Sequence, residues 1–302
     1  MKKIVNVATT FLWSNNNDHP IKEKLALQNS KENFYTLSDE EVLSLYKDRL
    51  VDSEVLYGDS VEVLEIVGEY ARVTVPKQAY KNDPSGYPGW IMVKDLVPMP
   101  DGWSEALKQV VVSQPTATLN FINETQIAQV VSIGTILPLV EETSTHYKLL
   151  TPDGIGYISK EKAHIVDNTQ INAVEQIIEL AKSFLDLRYV WAGTSAAGFD
   201  CSGFVYTLFR TFDIWLSRDA QEQVFEGAVY TYQEAIPGDL LFFAYEEGNG
   251  EVHHVGLYLG DDQMIHSQTP GSKVMITKLE GTTYQKELCA VRRFFLKVHI
   301  NL

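Results

Sequence analysis

The most informative stretch of this chain is Phe199-Asp200-Cys201-Ser202-Gly203-Phe204, which lies in the last third of 302 residues. It follows a run of small residues, 192–198, that disfavours a helix, whereas the apolar, proline-free stretch 201–212 is compatible with one. Cys201 is therefore predicted in the first turn of a helix. Asp200 is predicted as the N-cap of that helix, with an added role in substrate binding as the alternative.

A cysteine at the start of a helix is suited to nucleophilic chemistry. The unpaired backbone N–H groups and the helix dipole favour an anion there, and the thiolate is the nucleophilic form of cysteine. The same N–H groups can hold the oxyanion that forms when a thiolate attacks a carbonyl. The alternative is a buried, inert thiol, because free cysteine is among the most buried residue types. The nearby histidines favour the nucleophile.

A thiol nucleophile needs a base, and the base needs a third group that fixes its tautomer. His266 follows the predicted turn 260–262 and lies on a strand that returns beside the preceding one. Cross-strand neighbours share a face, so either His253 or His254 faces His266, depending on the strand register. Sequence alone leaves both candidates open. The other strands predicted in this region are 240–244, 255–259 and 291–296.

Several short motifs occur here in a characteristic order. They are Tyr189-x-Trp191-x-Gly193, Asp200-Cys201-Ser202-Gly203, Arg218-Asp219-Ala220, Pro237-Gly238-Asp239-Leu240, His254-Val255-Gly256-x-Tyr258 and Ile265-His266. In this order they resemble the motifs of the NlpC-type cysteine peptidases, a papain-like family that cuts bacterial cell-wall peptides.

The resemblance implies roles for individual residues. Cys201 would be the nucleophile, His254 the base and His266 the group that orients the base, which leaves His253 as a flanking polar residue. Tyr189 is similar to the family tyrosine that lies beside the nucleophile. The bond attacked would be the amide that links γ-D-glutamate to a diamino acid, either meso-diaminopimelate or L-lysine.

The residues before this region predict two related β units. Short alternating strands with glycine-rich turns occur in 50–98 and again in 110–166, and they resemble bacterial SH3-like domains. The predicted fold class is α+β, with two small SH3-like barrels ahead of a papain-like catalytic domain. The predicted elements are a first strand at 4–13, a helix from Ser38 through Tyr46, and an entry helix at 171–185 with Asn168 and Thr169 as caps. The predicted domains are 1–100 with a helical insertion near 38–50, then 101–167, and finally 168–302.

Two such units ahead of an NlpC-type domain resemble the YkfC-type peptidases that recycle wall fragments. This resemblance implies that the first unit borders the active site and that the substrate carries a free N-terminal L-Ala. A buried ammonium is costly unless carboxylates surround it. By resemblance Asp219 supplies one carboxylate and Glu54 a second, and Tyr87 lines the wall.

The substrate also carries a carboxylate, on the α-carbon of its D-Glu residue. By resemblance Arg218 and Ser202 hold it, and a guanidinium offers paired hydrogen bonds for this purpose. The next position after Asp219 is Ala220, where a hydroxyl would help to bind the carboxylate, so the fine specificity of this chain departs from the family pattern.

Composition narrows the possible partners. A formal charge of −15 and a pI near 4.9 argue against nucleic acid. There is no apolar run long enough to cross a bilayer, and the N-terminal residues lack the features of a secretion signal, so a cytoplasmic location is expected. No Cys-x-x-Cys or His-Glu-x-x-His spacing occurs, so neither a metal nor another cofactor is predicted.

The leading hypothesis is an endopeptidase that cuts muropeptides such as L-Ala-γ-D-Glu-diamino acid. One alternative is a secreted or wall-associated hydrolase that uses the β units to bind intact peptidoglycan. Another is an inactive wall-binding module that keeps the fold, against which the presence of Cys201, His254 and His266 speaks.

Overall fold

The fold is built on three large antiparallel sheets. The structure is a computed structural model that describes residues 1–28, 34–121, 127–166 and 173–295. Within those ranges, no helix has the length and apolarity that crossing a membrane requires.

The first β unit comprises β1 to β7, hydrogen-bonded in the order β3-β2-β6-β5-β4-β1-β7. Ala71 and Val73 are buried and Arg72 between them is exposed, because successive side chains of a strand point to opposite faces. The strands are β1 Lys2–Val5, β2 Thr9–Trp13, β3 Val51–Leu56, β4 Ser60–Val67, β5 Tyr70–Val75, β6 Tyr87–Met92 and β7 Leu96–Pro98.

The single first strand predicted at 4–13 is wrong, because the chain forms β1 and β2 with a break between them. β1 pairs with β4 and β7, whereas β2 pairs with β3 and β6. At the break, the Asn6 N–H donates to the Asp95 carbonyl and the Ala8 carbonyl accepts from the Tyr57 N–H. Apolar content alone did not reveal this change of partners.

Two helices are inserted between β2 and β3. The predicted helix is confirmed as α2, Asp39–Lys47, and Ser38 and Glu41 form the reciprocal hydrogen bonds of a capping box. The helix α1, Pro20–Leu27, was not predicted. Its cap is the His19 side chain, which accepts from the Ile21 N–H, and histidine is not among the usual N-cap residues.

The second β unit repeats the strand order of the first. Its order is β10-β9-β13-β12-β11-β8-β14, which equals the first order with seven added to each number. This shared topology confirms the predicted repeat. The strands are β8 Gln109–Val112, β9 Thr116–Phe121, β10 Gln129–Ser132, β11 Ile136–Glu142, β12 His146–Thr151, β13 Gly154–Ser159 and β14 Ala163–Ile165.

The third sheet has the order β17-β22-β18-β19-β20-β21, and α4 packs on it through a buried core that includes Phe204, Leu208, Val255 and Leu257. The helices of this region are α3 Ala173–Lys182, α4 Cys201–Arg210, α5 Ala220–Gln223, α6 Tyr245–Gly248 and α7 Thr283–Glu287. The strands are the short pair β15 Thr194–Ser195 and β16 Gly198–Phe199, then β17 Ala228–Tyr230, β18 Leu240–Ala244, β19 Val252–Gly260, β20 Gln263–Ser267, β21 Val274–Lys278 and β22 Leu288–Arg293.

Several predicted element boundaries differ from those in the structure. The entry helix is α3 and ends at Lys182 rather than Leu185, while its predicted caps Asn168 and Thr169 and its first predicted residues lie outside the described residues. The strand predicted at 255–259 is longer in the structure. The one predicted at 291–296 runs from Leu288 to Arg293, and residue 296 lies outside the described ranges. The strand predicted at 240–244 and the start of α4 at Cys201 are confirmed.

Buried polar contacts join the first β unit to the third sheet and its helices. The Arg210 guanidinium of α4 forms an ion pair with Asp59, and both side chains are almost fully buried. The Trp191 indole donates to the Val51 carbonyl at 3.1 Å. A buried charge is tolerated only when it is paired, so these contacts hold β3 in a fixed position beside the start of α4.

Candidate active site

Cys201 is the first residue of α4, and the geometry of the preceding turn explains its position. The Asp200 side chain accepts from the Gly203 N–H at 2.6 Å, so Asp200 is the N-cap. A Cβ added at Gly203 would overlap the carbonyl oxygen of Gly193. The small residues before Cys201 therefore allow the loop to pack directly on the first turn of the helix.

Two histidines and a threonine form a hydrogen-bonded row beside the thiol. His254 Nε2 lies 2.6 Å from His266 Nδ1, and His266 Nε2 lies 2.8 Å from Thr277 Oγ1. The three residues lie on the neighbouring strands β19, β20 and β21. The row leaves His254 Nδ1 as the ring nitrogen that is not bound to His266.

A β-bulge determines which histidine faces His266. Next to the turn, Gly260 pairs with Gln263, and continuing that register would place His253 on the face of His266. The register shifts between Tyr258 and Gly260, after which Leu257 pairs with Ile265. The shift brings His254 to the same face instead.

His253 makes different contacts from its neighbour. Its ring stacks on Tyr245 at 4.1 Å between ring centroids, and its Nε2 lies 3.2 Å from a Glu287 carboxylate oxygen. Among the residues that the structure describes, no group of three or more His, Cys, Asp or Glu side chains is arranged to hold a metal ion.

The part-buried thiol and the imidazoles are held in their neutral forms. Burial raises the pKa of Cys201 to about 12, and the Asp200 carboxylate acts in the same direction. The N–H groups of Ser202 and Val255 favour the thiolate, but burial has the larger effect. Burial also lowers the pKa of His254 well below its usual value and that of His266 to about 4.

The start of a helix therefore does not by itself make the sulfur anionic. A lone thiolate is too costly in this environment, so the charge forms when the thiol proton moves to His254 and leaves two opposite charges side by side. The Val255 N–H reaches the sulfur, and Val255 directly follows His254 in β19, so this strand places His254 close to Cys201.

Cys201 opens into a cleft of about 460 Å³ between the first β unit and the third sheet. Tyr46, Arg49, Asp52 and Tyr87 line one wall, and they belong to the first β unit and its inserted helices. The opposite wall includes Tyr189, Asp200, Ser202, Asp219 and Glu251. The expectation that the first unit borders the nucleophile therefore matches the structure.

One end of the cleft is acidic. The Tyr87 hydroxyl donates to an Asp219 carboxylate oxygen at 2.9 Å. Asp52 faces the same space, and desolvation together with the Asp219 charge raises its pKa to about 6. Burial also raises the pKa of Asp219. Two carboxylates that resist ionisation side by side form a suitable site for a cation.

The structure does not place Glu54 at this acidic end. Its side chain is fully buried and accepts from the Thr194 N–H at 2.7 Å and from the Ser195 hydroxyl at 3.0 Å. Asp52 occupies the predicted position instead, two residues earlier on the same strand. Residues two apart on a strand share a face, so a pattern of alternation could not separate the two carboxylates.

Arg218 also lies below the cleft, not in it. Its guanidinium is buried and donates to Asp200 at 2.7 Å, to the Ser202 hydroxyl at 3.0 Å and to the Ser53 hydroxyl at 2.9 Å. The predicted contact between Arg218 and the substrate is therefore not supported. The residue holds the cap Asp200 and the cleft residue Ser202 in place.

The arginine that does line the cleft is Arg49, which sequence reasoning missed. Its guanidinium lies 5.4 Å from the centre of the Tyr46 ring and 5.5 Å from that of Trp191. The residue follows α2 with a left-handed backbone, φ 51°. No motif singles it out, because its position depends on the inserted helix.

Tyr189 lies where the resemblance predicted, in the wall beside the nucleophile. Its backbone N–H donates to the Ser272 carbonyl at 2.8 Å, and the neighbouring Val190 N–H donates to Phe199 two residues before Cys201. Burial and the nearby Cys201 charge raise the pKa of its phenol. The hydroxyl therefore stays protonated and able to donate.

Comparison with known proteins identifies this arrangement. The sequence profile of the NlpC/P60 family matches residues 186–293, and that of the YKFC SH3b2 domain matches residues 112–165. A relative from Bacillus subtilis (strain 168), named gamma-D-glutamyl-L-lysine dipeptidyl-peptidase, is 39% identical over 85% of this chain and 85% of its own. The chain belongs to the NlpC/P60 family.

This NlpC/P60 protein is a cysteine peptidase, as predicted. A second relative of the same name, from Bacillus cereus (strain ATCC 10987 / NRS 248), is 35% identical over 84% of this chain and 78% of its own. The crystal structure of an NlpC/P60 family protein from Bacillus cereus ATCC 10987 covers 98% of this chain with a TM-score of 0.88 and 31% identity, and all of that chain is covered. The predicted fold, with SH3-like units ahead of an NlpC-type domain, is confirmed.

Proposed function

We propose that this NlpC/P60 peptidase cleaves the bond between γ-D-glutamate and a diamino acid, L-lysine or meso-diaminopimelate, in muropeptides with a free N-terminal L-Ala. The observation that carries the proposal is the acidic end of the cleft, where Asp52, Tyr87 and Asp219 meet in the same space as Cys201. The printed names of the two Bacillus relatives point to the same bond.

The reaction follows from the hydrogen-bonded row. His254 takes the thiol proton of Cys201 at Nδ1 while its Nε2–H is held by His266. The sulfur attacks the γ-carbonyl carbon, and N–H groups at the start of α4 stabilise the oxyanion. His254 then returns the proton to the leaving amine, and a thioester remains on Cys201. Water deprotonated by His254 attacks this thioester and releases the dipeptide acid and the thiol.

The first β unit explains why a free amine would be required. The ammonium of L-Ala would lie between Asp52 and Asp219, with Tyr87 holding the second carboxylate in place. Because the pKa of Asp52 is raised to about 6, its attraction for the ammonium strengthens above that pH.

The α-carboxylate of D-Glu would bind between Ser202 and Arg49. Ser202 lines the cleft directly beside the nucleophile, and Arg49 supplies a positive charge there. This assignment replaces the predicted role of Arg218 and offsets the missing hydroxyl at Ala220.

Acetylating the substrate amine tests the proposal. We expect kcat/KM for L-Ala-γ-D-Glu-L-Lys to fall at least about 100-fold on acetylation, because the two carboxylates then face an uncharged amide. Mass-spectrometric detection of L-Ala-D-Glu and L-lysine follows the reaction. Asp219→Asn should lose most of this discrimination, whereas the surface variant Glu65→Gln should keep it.

Two results would contradict the proposal. Turnover by Cys201→Ala would show that Cys201 is not the nucleophile. Equal cleavage of the acetylated and free peptides would favour the alternative, a secreted hydrolase of intact wall. A cytoplasmic recycling role is part of the same proposal. Immunoblotting of cytoplasmic, membrane and culture fractions tests that location.

A further inference from the structure

A second cavity, of about 430 Å³, adjoins the catalytic cleft. Tyr189 and Trp191 line both spaces, so the two cavities share a wall beside Cys201. We name the second space the flanking cavity; its charged lining residues are Asp39, Asp186, Arg188 and Lys273. Nothing in the catalytic mechanism above uses these four side chains.

Helix α2 runs along both cavities. Asp39 and Val42, in its first turns, line the flanking cavity, whereas Tyr46, in its last turn, lines the catalytic cleft. The lining residues of the opposite wall follow the same order from the flanking cavity to the cleft. Arg188 lines the flanking cavity, Tyr189 and Trp191 line both, and Ala192 lines only the cleft. The two spaces therefore form one groove, with the flanking cavity at one end.

The acidic end of the cleft is the opposite end of that groove. Asp52, Tyr87 and Asp219 line the cleft and none of them lines the flanking cavity. Cys201 and the shared residue Tyr189 both line the cleft. A substrate whose amine binds at the acidic end and whose carbonyl lies at Cys201 can extend its leaving group past Tyr189 into the flanking cavity.

The charges of the flanking cavity suit a leaving group with both signs. Lys273 pairs with Asp186 at the mouth, and both side chains are more than half exposed. Arg188 donates to the Leu37 carbonyl at 2.8 Å and lies 3.9 Å from Asp39, whose carboxylate is almost entirely exposed. Two cations and two anions thus meet in a space of about 430 Å³, which is large enough for one amino acid.

We propose that the flanking cavity binds the leaving diamino acid, with Lys273 facing its α-carboxylate and Asp39 facing its side-chain ammonium. The inference rests on the proposed function and adds the subsite that selects the diamino acid. Asp186 and Arg188 hold these two side chains in place through their ion pairs.

The test compares two substrates that share the acyl half. One is L-Ala-γ-D-Glu-L-Lys, and the other is L-Ala-γ-D-Glu amide of 7-amino-4-methylcoumarin, whose leaving group is uncharged. Lys273→Met and Asp39→Asn should each lower kcat/KM for the tripeptide about three- to fivefold, the effect of losing one exposed ionic contact. Cleavage of the coumarin amide should change less than twofold.

Matched controls lie in the same parts of the chain. Lys278→Met removes an exposed, ion-paired lysine from the end of β21, the strand that Lys273 directly precedes, and Glu40→Gln removes another carboxylate from the first turn of α2. Neither should affect either substrate. With norleucine in place of lysine in the tripeptide, Asp39→Asn should have no further effect, which isolates the ammonium contact.

The outcomes separate this inference from the proposed function. If the wild type cleaves neither substrate, the proposed function fails. Calorimetric titration with L-lysine alone then tests the flanking cavity. Binding that is lost in Lys273→Met supports the inference, whereas equal binding in both proteins or no binding at all overturns it. If the wild type cleaves both, equal effects of the variants on both substrates, or no effect on either, overturn the inference.

Discussion

At the scale of single residues, the chemistry depends on which proton each imidazole carries. His254 can accept the thiol proton at Nδ1 only if its Nε2–H donates to His266 Nδ1. His266 must then carry its proton on Nε2 and donate it to Thr277 Oγ1, 2.8 Å away. Thr277 therefore acts as a positioning residue that selects the productive tautomer of both rings.

Replacing this acceptor should lower the rate without weakening binding. Thr277→Val leaves His266 free to adopt the other tautomer, so kcat should fall on the order of tenfold with KM nearly unchanged. Thr277→Ser keeps the hydroxyl and should restore most of the rate. Steady-state kinetics on the tripeptide measure both. Equal losses in the Val and Ser variants would show that packing of the threonine methyl group matters instead.

The sequence identified the three central residues because each belongs to a short motif, but it missed those whose place depends on distant contacts. Thr277 reaches His266 through the pairing of β20 with β21, and Arg49 reaches the cleft through the end of α2. Asp52 and Glu54 differ by one strand period, so only the packed structure shows which carboxylate is buried.

At the scale of elements, the bulge in β19 determines which histidine faces His266. Loop length alone could not distinguish His253 from His254, because an irregular register changes the parity of the pairing. The two neighbouring histidines therefore face different partners, His266 for one and Glu287 for the other.

Alanine substitutions should separate the two histidines sharply. His254→Ala removes the proton acceptor and should lower kcat on the order of 1,000-fold. His253→Ala removes a side chain that stacks on Tyr245 at the cleft and should lower kcat/KM less than about tenfold, within the range of a peripheral binding contact. Circular dichroism melting curves check that both variants fold. A larger loss in His253→Ala would mean that the register assigned to β19 and β20 is wrong.

Element type was predictable where local chemistry is strong. The capping box at Ser38 gave α2, and the small residues before Asp200 gave the start of α4. The predictions failed where the deciding contact is distant, as at the break between β1 and β2, or where the cap is unusual, as at His19 before α1.

At the scale of the whole molecule, a buried carboxylate couples the two parts that form the cleft. Glu54 of β3 accepts hydrogen bonds from Thr194 and Ser195 of the loop that precedes α4. Burial raises its pKa from an ordinary value of 4.5 to about 7, although those hydrogen bonds lower it in part. The protonated form is therefore favoured in the folded state.

The stability of the protein should fall as the pH rises. A carboxyl group whose pKa is raised in the folded state stabilises the fold while it is protonated. For Glu54 this contribution is fully present below the unfolded pKa of 4.5 and is lost as the pH rises through the folded pKa of about 7. The contribution is about 3 kcal/mol at most. Urea unfolding at pH 5 and pH 8 should show a smaller difference for Glu54→Gln than for the wild type. Glu65→Gln, an exposed change, should keep the wild-type difference, and an unchanged difference in Glu54→Gln would contradict the assignment.

A single insertion accounts for part of the difference between the two β units. The units share one strand order, yet residues 14–50 join β2 to β3 in the first, whereas only residues 122–128 join the corresponding strands β9 and β10 in the second. The inserted segment supplies Tyr46 and Arg49 to the groove without contributing to the nucleophile or its base. Selectivity can therefore diverge between descendants of one ancestor through changes in a loop of a non-catalytic module, while the hydrolytic machinery stays as it is.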